Sequence, residues 1–133
     1  MRLKVWEYGI LVTVVILLTA LFVYGATTLR PVSYEAITID NTLGGKSLTT
    51  AKYFNATTSR ILSDLAIVNL EAANVYYTVD GVTVPTTGGI GTLLYVGQSR
   101  TLTSFEQIQN FKAIRASGTS GVIKVEYYKR YEK

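Results

Sequence analysis

Apolar positions fall into two regimes along the chain. From Gly9 to Ala26 they are nearly continuous, and GILVTVVILLTALFVYGA carries no charge and only the weakly polar Thr13 and Thr19. As a helix, at 1.5 Å per residue, this stretch would extend roughly 27 Å, close to a hydrocarbon core of about 30 Å. Past Arg30-Pro31, where proline blocks helix continuation, the pattern changes. Apolar residues there alternate with polar ones, and Gly, Asn and Asp recur as punctuation. Alternation with period two predicts strands. The chain therefore reads as a basic N-terminal tail (residues 1–8), a transmembrane helix (9–26), a linker (27–32) and a β domain (33–133).

Within the β domain the pattern predicts a strand over Tyr34–Ile39, a turn at Asp40-Asn41 and Gly44-Gly45, and a weak strand from Lys46 to Phe54. Asn55 to Ser59 reads as loop. A strand over Leu62–Leu70 alternates through Leu65, Ile67 and Asn69, and Val75, Tyr77 and Val79 share one face of the next. Asp80-Gly81 is a hairpin-type turn signal, followed by a flexible loop from Thr83 to Gly91. Leu93-Leu94-Tyr95 and Arg100-Thr101-Leu102 read as strands around a Gly97-Gln98 turn. Ser104 with Gln107 forms a capping-box pattern for a short helical turn. Phe111 to Ala116 returns to strand, and Val122 to Tyr131 is the longest, with Ile123, Val125 and Tyr127 facing in. About seven or eight short strands with frequent turns suggest an antiparallel, jelly-roll-like β-sandwich.

The apolar run is read as a membrane anchor. Ile10, Leu11, Val14, Val15, Leu17, Leu18, Leu21 and Phe22 would face lipid, while Trp6, Tyr8 and Tyr24 suit the interfacial belts. Arg2 and Lys4 favour an interior N-terminus, with the β domain outside. A cleaved signal peptide is the alternative, since small residues near Gly25 and Ala26 offer a cleavage site. A hydrophobic helix buried in a protein assembly is another.

Composition narrows the chemistry. There is no Cys and no His, so disulfides, thiolate nucleophiles and the commonest general base and transition-metal ligand are absent. The formal charge of +4 comes from scattered Lys and Arg rather than a basic stripe, so nucleic acid is not an expected partner. No enzyme activity, cofactor or metal is expected. Asp64, Glu71 and Asp80 are the central acids, but no motif pairs them for glycoside hydrolysis. Gly88-Gly89-Ile90-Gly91 lacks a P-loop lysine and reads as a loop rather than a phosphate cradle. Asn55-Ala56-Thr57 is a glycosylation acceptor pattern. Tyr76, Tyr95, Tyr128, Lys129, Arg130 and Tyr131 are the candidate interface residues, since exposed tyrosines offer rigid amphipathic area.

The ordered landmarks NVYYTVDG (Asn74 to Gly81), VPTT (Val84 to Thr87), LLYVGQSRTL (Leu93 to Leu102), FEQIQNFKAIRASGTSG (Phe105 to Gly121) and VIKVEYY (Val122 to Tyr128) cover less than half of the chain. This stretch resembles small β-sandwich domains of phage and virus structural proteins. The resemblance implies a virion component. Joined to the apolar run, it implies a non-enzymatic protein of a membrane-containing virus, held in the lipid membrane and packed against capsid or vertex proteins, with homo-oligomeric or lattice contacts.

Two other readings follow from the same layout. A pilin-like filament subunit also places an apolar helix before a β head, and Glu7 lies just before the run, but the pilin processing signal is absent. A secreted carbohydrate-binding β-sandwich would lose the run and bind glycans through exposed tyrosines.

Overall fold

The computed structural model describes residues 27–131. The expected transmembrane helix, with Trp6, Tyr8, Ile10, Leu11, Val14, Val15, Leu17, Leu18, Leu21, Phe22 and Tyr24, lies outside the described residues. Arg30–Arg130 forms one compact unit, and of the other unit only 27–29 and 131 are described. Among the described residues, no helix is long and apolar enough to cross a membrane.

The fold is mainly β. Its strands are β1 (Thr28–Ile39), β2 (Lys46–Ser47), β3 (Phe54–Asn55), β4 (Arg60–Ile61), β5 (Leu65–Ala72), β6 (Val75–Thr78), β7 (Thr92–Leu94), β8 (Ser99–Leu102), β9 (Lys112–Arg115) and β10 (Gly121–Tyr131). Among the described residues, two short helices, α1 (Thr50–Tyr53) and α2 (Phe105–Asn110), sit in the connections. One four-stranded sheet has the order β1-β10-β5-β8, a second has the order β2-β9-β6-β7, and β3 and β4 form a separate hairpin. The described ladders of β10 with β5, β5 with β8, β2 with β9, β6 with β7 and β6 with β9 are all antiparallel.

The strand orders share one logic. Setting aside the β3–β4 hairpin, the first strand neighbours the last, the second the second-last, and so inward: β1 with β10, β2 with β9, β5 with β8, β6 with β7. The chain is one long two-stranded ribbon doubled back between β6 and β7. Its rungs fall alternately into the two sheets, and the β10–β5 and β9–β6 ladders join rungs within each sheet.

Between the sheets lies a core drawn from both, an arrangement consistent with a β-sandwich. Ile39, Ala66, Val68, Leu70, Leu102, Ile123, Val125 and Tyr127 come from one sheet, and Val75, Tyr77, Leu94 and Ala113 from the other. The connections add Leu48, Tyr53, Ile108 and Phe111. Aromatic rings hold much of this volume. Tyr77 stacks on Phe111 at 5.8 Å between centroids, and Tyr53 meets Phe105 edge-on at 5.9 Å. Such pairs contribute about 0.5–1.5 kcal/mol beyond their burial.

Several expectations are corrected. β1 begins at Thr28, inside the stretch read as linker, and runs through Pro31. It is an edge strand, where a residue without an N–H is tolerated. The weak strand read over Lys46–Phe54 is β2 followed by α1. There Tyr53 is drawn inward to stack on Tyr127 at 6.3 Å, and Thr49 donates its N–H to the Glu35 carboxylate at 3.1 Å. Burial of the ring outweighs the local β preference of the segment.

β5 starts at Leu65, three residues late, and its phase is the reverse of the one read. Ala66, Val68 and Leu70 face the core while Ile67 and Asn69 face outward. The ladder explains this, because Ala66 lies opposite Tyr127 and Val68 opposite Val125, both inward residues of β10. The delayed start follows from Ser63, whose buried hydroxyl donates to the carbonyls of Leu65 and Tyr128 at 2.8 Å each.

Candidate interaction surfaces

The four-residue Asp80 turn sets one wall of the region between β6 and β7. The Asp80 carboxylate accepts from the N–H groups of Val82 and Thr83 at 3.1 and 2.8 Å and from the Thr83 hydroxyl, and Gly81 has a φ of 73°. The Thr83 hydroxyl bond, followed by the Thr83 N–H, holds the Asp80 carboxyl below the usual carboxylate range. Thr42 does the same for Asp40 at the turn after β1. Both acids are engaged with their own turns.

Asp64 and Glu71 are occupied elsewhere. Asp64 pairs with Lys129 at 3.3 Å and accepts from the Arg130 N–H at 3.1 Å, and Glu71 pairs with Lys124 at 2.7 Å. Among the described residues, no group of three Asp or Glu side chains could hold a metal ion. The glycines of the 83–91 segment answer to backbone geometry. Gly91 has a φ of 112°, and a Cβ there would lie 2.9 Å from the Tyr77 carbonyl oxygen. The segment read as flexible is stitched across itself, with Thr86 donating to the Ile90 carbonyl and Gly89 to the Thr86 carbonyl, both at 3.1 Å. Pro85 is fully buried beneath it.

The tyrosines separate by strand parity. Tyr77 and Tyr127 point inward and are buried, as their alternation predicts. The Tyr127 hydroxyl donates to the Glu35 carboxylate. Burial first, then that bond and the adjacent charge, push the Tyr127 phenol well above its ordinary pKa. Tyr76 points out of the second sheet but is half-covered, because the loop lies over it and a Cβ on Gly89 would sit 3.6 Å from its hydroxyl. Tyr95 is 52% exposed in the β7–β8 turn. Tyr128 lies over the outer face of the first sheet, its hydroxyl donating to Glu126 at 2.5 Å, which raises its pKa.

The C-terminal candidates are tied to their own domain. Besides the Asp64 contacts of Lys129 and Arg130, the Arg130 guanidinium donates to the Thr103 carbonyl at 2.9 Å. Tyr131 is 44% exposed. Asn55 is exposed at the β3–β4 hairpin, where its side-chain oxygen accepts from the Thr58 N–H at 3.1 Å. The structure therefore does not gather the sequence candidates into one site.

Two surfaces stand out in their place. A cleft of about 430 Å³ lies among the loops at one end, bordered by Asn41, Pro85, Thr86, Ile114, Arg115 and Ser117. A shallower groove of about 370 Å³ runs between β1 and β10, lined by Val32, Tyr34, Glu126 and Tyr128. Sequence reading missed Tyr34, which is 79% exposed. The signal was present: Tyr34 alternates out of phase with the inward Ile37 and Ile39 of the same strand. No family model, no curated protein and no solved structure matches the chain.

Proposed function

We propose that this chain is a non-enzymatic structural protein of a membrane-containing virus or phage. Residues 9–26 anchor it in the lipid bilayer as a transmembrane helix, and the β domain packs against capsid or vertex proteins. The observation that carries the reading is the strand order. A ribbon doubled back on itself, with rungs dealt alternately to two four-stranded sheets, is the connectivity of a jelly roll. That architecture recurs in viral capsid domains and also in lectins and cupins. The apolar run is what favours the virion role over a soluble binder, since insertion of a transmembrane helix is effectively irreversible compared with a single lipid chain.

The mechanism is mechanical coupling: the helix fixes position and the β domain supplies lateral and radial contacts. The test is flotation with lipid vesicles of the full chain and of a chain lacking residues 1–26. The full chain floats and withstands carbonate washing, and the shortened chain stays in the soluble fraction with its strand signature by circular dichroism. A shortened chain that still floats would sink the anchor assignment. Regular filaments appearing when detergent is removed would support a pilin-like subunit in its place.

A further inference from the structure

The two four-stranded sheets have four edges, and three of them are short. β2 has two residues, β7 three and β8 four. Brevity is one of the ordinary protections of a sheet edge. The fourth edge, β1, has twelve residues. Over 32–39 it carries no Lys, Arg or Pro, and its inward side chains Ser33 and Glu35 hold the Lys52 carbonyl and the Thr49 N–H. Its sole charge there, Glu35, is taken up by the Tyr127 hydroxyl and the Thr49 N–H. Pro31 guards only the approach to this stretch. Among the described residues, 32–39 make no backbone–backbone hydrogen bond beyond those of their own sheet. An unprotected row of N–H and C=O groups is a template for a further strand.

We infer that β1 is an interface between two copies of this chain, paired antiparallel across a two-fold axis at Ala36 so that two four-stranded sheets become one of eight. Symmetry makes such a contact self-complementary. The outward residues of β1 fit this register. Ala36 faces its own copy, where a small side chain is needed, and Tyr34 lies opposite Thr38, an aromatic beside a β-branched residue. Tyr34, otherwise bare, gains a neighbour. Charge is complementary at the ends. Arg30 and Asp40 have the same parity as Ala36, and in this register Arg30 lies diagonal to the second copy's Asp40, whose exposed carboxylate also serves Thr42 and Lys46 of its own turn. Glu35 points inward and meets no like charge. The pairing needs neither a membrane nor a capsid, so its failure would leave the proposed role standing.

The chain has no cysteine, so a single introduced thiol reports unambiguously. Directly opposed residues in an antiparallel pair have Cα atoms about 4.5–5.5 Å apart, within the range a disulfide spans. In the full chain held in detergent, mild oxidation of Ala36→Cys gives a covalent dimer as the main product. Thr38→Cys alone gives little, and Tyr34→Cys with Thr38→Cys restores the cross-link. Sedimentation of the unmodified chain, corrected for bound detergent, gives two copies. Ala36→Lys, which sets two ammonium groups against each other at an exposed position, weakens association at least tenfold while the circular dichroism spectrum is unchanged. A monomeric unmodified chain would overturn the pairing. So would a dimer insensitive to Ala36→Lys, or Ala36→Cys cross-linking no better than Thr38→Cys.

Discussion

Tyr127 shows how a polar atom is admitted to this core. Its ring is fully buried between the sheets and stacks on Tyr53, while its hydroxyl reaches the edge of the core and donates to Glu35. The same carboxylate accepts the Thr49 N–H, so one acid ties β1, β10 and the start of α1 together. Tyr127→Phe removes the donor and leaves the ring. Hydrogen bonds to charged groups contribute about 1.5–3 kcal/mol, and urea unfolding should register a loss of about 1–2 kcal/mol after relief of the buried hydroxyl. An unchanged midpoint would show that the bond is structurally idle. The pH dependence has a fixed sign. Folding raises the phenol pKa and so favours its neutral form. This stabilisation is complete below the unfolded value near 10 and is lost as pH rises beyond it. Thermal melts across that range should fall more steeply for the native chain than for Tyr127→Phe.

At the scale of elements, backbone approach decides where glycine is required. Gly121 opens β10 next to a bulge between Val122 and Ile123, and a Cβ there would lie 2.6 Å from the Val75 side chain and 3.2 Å from the Ala72 carbonyl oxygen. Gly121→Ala should cost about 1–3 kcal/mol, the usual range for overpacking, read as a lowered melting temperature. A neutral result would mean that β6 and β10 give way freely.

Elements with strict alternation or explicit turn chemistry were legible from residues alone. β10 shows Ile123, Val125 and Tyr127 inward as read, and Ser104 caps α2 by accepting the Gln107 N–H at 3.2 Å. The reciprocal bond differs by one residue, since Gln107 accepts from Thr103 rather than Ser104. β5 misled because Leu65, Ala66, Ile67 and Val68 are all apolar, so local pattern could not set its phase. Its partner β10 did. α1 misled because the force that forms it, burial of Tyr53 against Tyr127 in the last strand, is not local.

For the whole molecule, the antiparallel two-sheet class could be read from turn spacing, but neither the ten strands among the described residues, against seven or eight expected, nor the pairing of β1 with β10 could be. That pairing joins the two ends of the domain, and no residue in either strand announces it. The surfaces were the least legible part. Candidate tyrosines scattered to Tyr76 under a loop, Tyr95 in a turn and Tyr128 on a sheet face, while the most exposed ring among the described residues belongs to Tyr34. The proposed role requires that residues 9–26 remain part of the working protein and hold it in lipid. The measurement that tests this most directly is the intact mass of the chain recovered from the membrane fraction of cells expressing it in full. The expected result is a membrane-bound chain with the full mass of 14.6 kDa, less at most its initiating methionine. A soluble chain beginning near Thr27 would contradict it and leave a secreted β domain in its place.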